Sequence, residues 1–117
     1  MKQETVLKEF KEADALLEGH FILSSGLRSR NYLQCAKVLM EPKRAARLAR
    51  ALAKQIRENV RGDIDCVVSP AMGGVLIGYE VARQLGVRSM FLERVDGSFT
   101  LRRGFDLAGK PRVVMVE

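Results

Sequence analysis

Ile64-Asp65-Cys66-Val67-Val68-Ser69-Pro70-Ala71-Met72-Gly73-Gly74, continuing into Val75-Leu76-Ile77-Gly78-Tyr79-Glu80-Val81-Ala82-Arg83-Gln84-Leu85-Gly86, decides the fold. Ile64 to Val68 is an apolar run of strand length, and Pro70, Gly73 and Gly74 interrupt it. From Val75 to Leu85 a helical pattern takes over, with Val75, Ile77, Val81, Ala82 and Leu85 apolar and Gly86 as its stop. A strand, a Gly-bearing turn and a helix in succession form the repeating half of an α/β protein. Gly73 and Gly74 let the backbone approach an anion closely. The helix that follows offers unpaired N–H groups and the positive end of its dipole. A Gly pair also serves tight helix–sheet packing. The stretch matches neither the dinucleotide fingerprint nor the P-loop, because the third glycine and the Lys-Ser/Thr ending are missing.

Toward the C-terminus, an apolar strand is expected from Ser89 to Leu92, leading into Glu93-Arg94-Val95-Asp96-Gly97-Ser98-Phe99. Asp96-Gly97 is a strong two-residue hairpin signal. Arg94, Arg102 and Arg103 gather on a segment with few core-forming positions. That suits a mobile lid clamping phosphates and, equally, an exposed hairpin whose charges serve solubility. A last strand is expected over Arg112 to Val116, with Glu117 at its carboxyl end. Ligands of open parallel sheets sit beyond that end, which makes Glu117 a site candidate.

Toward the N-terminus, Val6, Phe10, Ala13, Leu16 and Leu17 predict a helix over residues 3–17. Short strands over Phe21–Leu23 and Tyr32–Gln34 flank a polar link. In that link the Ser24-Ser25-Gly26 turn, Arg28 and Arg30 suit an anion or plain solvent. From Lys43 to Arg61, Lys43, Arg47, Arg50, Lys54, Arg57 and Arg61 form one stripe of an amphipathic helix, opposite Leu48, Ala49, Leu52, Ile56 and Val60. Pro42 suits its first turn.

The 117 residues, 47% of them hydrophobic, suffice for one compact domain, and no repeat or Pro/Gly/Ser linker divides them. The net charge of +6 suggests an anionic partner such as nucleic acid, phosphate or a carboxylate substrate. The basic helix has no interleaved aromatics and no groove-docking companion helix or turn. It reads as a solvated surface, and nucleic acid is not expected as a partner. Cys35 and Cys66 are expected as buried free thiols. His20 is the only histidine, so any metal would be held by oxygen. No run approaches the ~18 apolar residues of a membrane span and the start lacks a signal-peptide core, so a cytoplasmic location without membrane contact is expected.

Taken in order, Gly19-His20-Phe21-Ile22-Leu23-Ser24-Ser25-Gly26-Leu27-Arg28-Ser29-Arg30-Asn31-Tyr32, Ser69-Pro70-Ala71-Met72-Gly73-Gly74-Val75, and Glu93 through Leu101-Arg102-Arg103-Gly104-Phe105 resemble the orotate phosphoribosyltransferase family. The resemblance covers nearly the whole chain from Gly19, and the early segment argues against a purine transferase. It implies a type I phosphoribosyltransferase fold, with a mainly parallel sheet flanked by helices. Residues 1–40 would form a small helix/strand hood, and residues 41–117 an α/β core with a protruding lid at 93–105. In such proteins four apolar residues, two acids and a loop rich in Thr, Ser and Gly bind phosphoribosyl pyrophosphate (PRPP). Val113-Val114-Met115-Val116-Glu117 matches the first part only. The resemblance therefore implies an N-terminal portion, incomplete at its C-terminus, inactive alone, and prone to dimerise or aggregate through uncovered apolar surface.

The implied reaction transfers ribose 5-phosphate from PRPP to orotate, giving orotidine 5'-monophosphate and pyrophosphate in pyrimidine biosynthesis, with Mg2+ carried by PRPP and a homodimer as the working state. Glu117, Met72, Gly73, Gly74 and Arg94 would contact PRPP, with Glu117 reaching the ribose hydroxyls directly or through metal and water. Arg94, Arg102 and Arg103 would act from the lid, and Ser24, Ser25, Gly26 and Tyr32 would face orotate. The chain departs from the commoner pattern at three places. Met72-Gly73 stands for Tyr-Lys, Glu93-Arg94 for Arg-Lys with the later Lys and His missing, and Ser24 for a lysine. The alternative function is a non-catalytic PRPP- or nucleotide-sensing regulator on the same fold, using the basic helix to contact nucleic acid.

Overall fold

A computed structural model describes residues 1–109 and 111–117, which divide into two compact units, Met1–Arg44 and Ala45–Glu117. The first unit contains helix α1 (Gln3–Glu12), strands β1 (Leu16–Ile22) and β2 (Arg28–Leu33), and helix α2 (Cys35–Leu39). Helix α1 ends earlier than the spacing predicts. Asp14 adopts a left-handed backbone (φ 54), with its N–H donating to the Lys11 carbonyl and that of Ala15 to Phe10. These two bonds form a Schellman cap that satisfies the last carbonyls of the helix. Leu16 and Leu17, which continue the helical spacing by coincidence, belong to β1 and pair with Leu33 and Tyr32. The two strands are longer than the sequence suggests, because Leu23 N–H donates to the Leu27 carbonyl and closes an antiparallel hairpin.

Helix α3 (Pro42–Asn59) begins in this unit, and its first turn carries Arg44. Arg44 Nη1 donates to Glu9 (2.9 Å) and Glu12 (3.2 Å), and Nε donates to Glu41 (2.7 Å). Glu41, then Glu9 and Glu12, push the guanidinium pKa further up. Glu9 is buried, and a carboxylate out of water is costly without a cation beside it. Arg44→Met is therefore expected to lower the melting temperature clearly more than Lys8→Met, whose contact with Glu12 is 3.7 Å long and exposed. Thermal melts of both variants against wild type check this, and equal losses would show that Glu9 does not depend on Arg44.

The second unit is built on a four-stranded sheet in the order β5-β4-β3-β6. Strand β3 (Cys66–Pro70) runs parallel to β4 (Arg88–Val95) and to β6 (Val113–Met115), while β5 (Ser98–Leu101) is antiparallel to β4. The strand expected at 64–68 is displaced toward the turn. Asp65 instead pins the start of β6, its N–H donating to the Arg112 carbonyl (2.9 Å) and its carboxylate accepting from the Arg112 amide (2.6 Å). Alternation along β3 separates two apolar layers. Val67 joins Ala49, Val81, Ala82 and Val116 on one face, and Cys66 and Val68 join Met90 on the other.

Helix α4 (Val75–Leu85) ends at Gly86, whose φ of 72 is the left-handed cap the sequence indicates. Helix α3 buries Ala45, Ala49 and Ala53, while Leu52 and Ile56 of the expected apolar side are only partly buried. Of its basic stripe, Arg57 donates to the Gln84 carbonyl at the end of α4 (2.7 Å), and Lys54 lies 3.9 Å from Glu58. On α4, Arg83 holds Glu80 through Nε at 3.0 and 3.1 Å and keeps that carboxyl below the usual carboxylate range. Because the folded-state value is depressed, this stabilisation is present above the unfolded value of ~4.5 and fades as pH falls through the lower folded value. The melting-temperature difference between wild type and Glu80→Gln should therefore be larger at pH 7 than at pH 3. A difference independent of pH would remove this linkage.

The cysteines differ from expectation. Cys66 is buried in β3, where loss of water and the charge of Asp65 push its thiol pKa up. Cys35 is exposed, because it opens the short α2 instead of lying in a core strand. A thiol reagent at neutral pH should titrate one cysteine in the native protein and a second only after unfolding.

Candidate functional site

Strand β3 is the topological switch of the sheet. Helix α4 carries the chain from β3 to β4 on one side, and β6 pairs on the other. The carboxyl ends of β3 and β6 thus frame a crevice of the kind in which open α/β sheets bind ligands. The loop Ala71–Gly74 and Glu117 stand at those two ends.

The loop is held from behind. The Ala71 amide donates to the Leu92 carbonyl (2.8 Å), the Gly74 amide to Pro70 (2.9 Å), and the Val75 amide to Met72 (3.2 Å). The Ala71–Met72 peptide is cis. Among the described residues no hydrogen bond takes up the amides of Met72 and Gly73, and Met72 is 88% exposed. The two glycines have different reasons. A Cβ on Gly74 would lie 2.7 Å from the Pro70 carbonyl oxygen, so the loop's own packing excludes one there. A Cβ on Gly73 would meet nothing within 4 Å, so packing does not require a glycine there. Two amides without partners thus precede the N-terminus of α4, a place where backbone N–H groups and the helix dipole can receive an anion.

The hairpin forms as Asp96-Gly97 predicts. Both residues have positive φ (49 and 83), giving the right twist for the Arg94↔Phe99 and Val95↔Ser98 pairs. Its three arginines are placed differently. The Arg94 guanidinium lies over the Phe99 ring, 4.6 Å from its centre, a cation–π contact on the exposed hairpin. Arg103 grips Glu93 with two hydrogen bonds, Nη2 to Oε1 at 2.9 Å and Nε to Oε2 at 3.1 Å. Arg102 is exposed and, among the described residues, makes no ion pair within 4.0 Å. The pairing of Glu93 with Arg103 was missed in the sequence, because the residues lie ten apart and only the turn brings them together.

In the first unit, Ser24, Ser25 and Gly26 occupy the exposed tip of the β1–β2 hairpin. Gly26 has φ 85 and Ser25 Oγ accepts from the Leu27 amide (3.3 Å). Tyr32 packs its ring 5.7 Å from that of Phe21. His20, Phe21, Ile22, Arg28, Ser29 and Arg30 line a concavity of about 560 Å³. Charge alone pointed to Arg28 and Arg30, whereas the participation of His20 and Phe21 depends on the irregular register between Glu18 and Phe21. No group of three or more His, Cys, Asp or Glu side chains converges as a metal cage among the described residues. Glu117 is an exposed carboxylate.

A family model for the phosphoribosyl transferase domain matches residues 37–98, more than half of the chain. The chain belongs to the phosphoribosyl transferase domain family. The matched span holds β3, the Ala71–Gly74 loop, α4, β4 and the hairpin turn. A curated orotate phosphoribosyltransferase of Erythrobacter litoralis is 60% identical over 117 residues, covering 100% of this chain and 61% of that protein. The chain thus spans about 60% of the length of such relatives. Among solved structures, the orotate phosphoribosyltransferase of Aeropyrum pernix superposes with a TM-score of 0.70 at 24% identity, over 94% of this chain and 62% of that one. The adenine phosphoribosyltransferase of Saccharomyces cerevisiae superposes at 0.68 with 19% identity, over 96% and 69%. The fold is that of the type I phosphoribosyltransferases.

Proposed function

We propose that the full-length protein is an orotate phosphoribosyltransferase, moving ribose 5-phosphate from PRPP to a ring nitrogen of orotate and releasing pyrophosphate, within pyrimidine (UMP) biosynthesis in the cytoplasm. The observation that carries this reading is the 60% identity with an orotate phosphoribosyltransferase along all 117 residues. The anion seat at the sheet's switch point is consistent with it. The bond from the anomeric carbon to the pyrophosphate oxygen breaks as the bond to nitrogen forms. Positive charge grows on the ribose and negative charge on the leaving group.

The Met72 and Gly73 amides and the dipole of α4 face the pyrophosphate in this reading, with Gly74 shaping the loop. Glu117 holds the ribose hydroxyls, and Arg94, Arg102 and Arg103 bring cations from the lid at 93–105. Ser24, Ser25, Gly26 and Tyr32 serve the orotate side, residues 1–40 forming that segment and residues 41–117 the core. Mg2+, carried on PRPP, supplies charge neutralisation at the pyrophosphate. The working state is a homodimer.

The test is Mg2+-dependent release of pyrophosphate from PRPP by the full-length protein, with orotate or adenine as acceptor. Release that requires orotate and ignores adenine is expected. A folded protein that shows no dependence on orotate would overturn the assignment.

A further inference from the structure

The lid arginines differ in readiness, and Glu93 is the reason. Strand β4 places Glu93 directly after Leu92, whose carbonyl receives the Ala71 amide at the start of the anion loop. The Arg103 guanidinium lies on this carboxylate in a two-point grip. It also sits 5.9 Å from the Phe91 ring centre, and Phe91 meets Phe105 edge-on at 5.2 Å. Positive φ at Arg103 (63) and Gly104 (75) turns the chain back over β4 and makes the grip possible. A guanidinium fork presents the same paired donors to a carboxylate as to a phosphate, so Glu93 fills the place an incoming anion would take. The pair is reachable from solvent, with the Arg103 side chain 61% exposed and that of Glu93 21%. Exposed pairs of this kind are weak and yield to a more highly charged competitor. Arg103 first, and then the nearby charge of Arg102, hold the Glu93 carboxyl below the usual carboxylate range, so the stand-in stays ionised at neutral pH.

We propose that Glu93 is a positioning residue that holds Arg103 in reserve beside the anion loop, and that magnesium pyrophosphate, as part of PRPP or as product, displaces Glu93 from Arg103. This rests on the phosphoribosyl-transfer reading. The exchange makes and breaks only ion pairs. On the return step, recapture of Arg103 by Glu93 helps the product leave.

The experiment is calorimetric titration of magnesium pyrophosphate into the full-length wild type, Glu93→Gln, Arg103→Ala and the double variant, beside kcat and KM for PRPP. Removing the competitor in Glu93→Gln should tighten pyrophosphate roughly threefold to tenfold and lower KM, while Arg103→Ala weakens it by about tenfold. The double variant should match Arg103→Ala, because Glu93 acts only through Arg103. A purely structural clasp would instead make both single variants bind more weakly, and that outcome overturns the proposal. Should Glu93→Gln fold poorly, Glu93→Asp keeps the charge but shortens the reach, and tighter binding is again expected. Opposite-signed shifts without orotate turnover would remove the reaction assignment and leave the exchange standing. Same-signed shifts remove the exchange whether or not orotate reacts.

Discussion

Replacing Gly74 with alanine in the full-length protein is expected to weaken PRPP by tenfold or more and to lower stability by about 1–3 kcal/mol, the usual cost of overpacking. The added Cβ would stand 2.7 Å from the Pro70 carbonyl oxygen and 2.9 Å from Pro70 Cδ, and neither atom is the far end of a flexible side chain. The loop must open, and the amides of Met72 and Gly73 are then displaced. The control is Gly73→Ala. Its Cβ meets nothing within 4 Å, so stability should stay within ~0.5 kcal/mol of wild type, while PRPP affinity should fall on the proposed reading, in which the anion approaches the Gly73 amide. Chemical denaturation and PRPP titration on both variants separate the two effects. Equal stability losses would contradict the loop geometry, and unchanged affinity in Gly73→Ala would remove the anion from that seat.

The second large effect is expected at Glu117. In the full-length protein, Glu117→Ala should lower kcat/KM for PRPP by roughly tenfold to a hundredfold, the scale of a lost charge-assisted hydrogen bond. Its stability should be nearly unchanged, because the β-ladder closes one residue earlier, with the Val116 amide on the Val68 carbonyl (2.9 Å). The conservative variant Glu117→Gln keeps the shape and loses the charge, and it should recover only part of the loss. Steady-state kinetics with melting curves decide the matter. A full recovery in Glu117→Gln would mean that the carboxylate's charge does not matter at the ribose.

The sequence by itself determined the features that depend on near neighbours along the chain. The 3.6-residue spacing from Val75 to Leu85 with Gly86 behind it and the Asp96-Gly97 turn appear in the structure where local chemistry placed them, and the apolar run around Val67 forms its strand over Cys66–Pro70 instead of residues 64–68. The ordered motifs from Gly19 to Phe105 also carried the family, since a family's loops keep their residue types in order along the chain. The sequence was misleading where a local pattern had two solutions. Leu16 and Leu17 suit a helix as well as a strand, and the left-handed turn at Asp14 selected the strand. Cys35 looked apolar enough to be buried, and the short α2 that exposes it left no signal.

Only the tertiary structure decided which charges are already engaged. Arg44 meets Glu9 across 35 residues, the Asp65 carboxylate takes up the backbone amide of Arg112 across 47, and Arg103 folds back onto Glu93. Each pair depends on chain closure through turns and strand pairing, and the energy of such a contact carries no trace in residue spacing. The same holds for the contrast between Gly73 and Gly74. The residues are identical, and only the position of Pro70 makes one glycine a packing requirement and leaves the other facing open space.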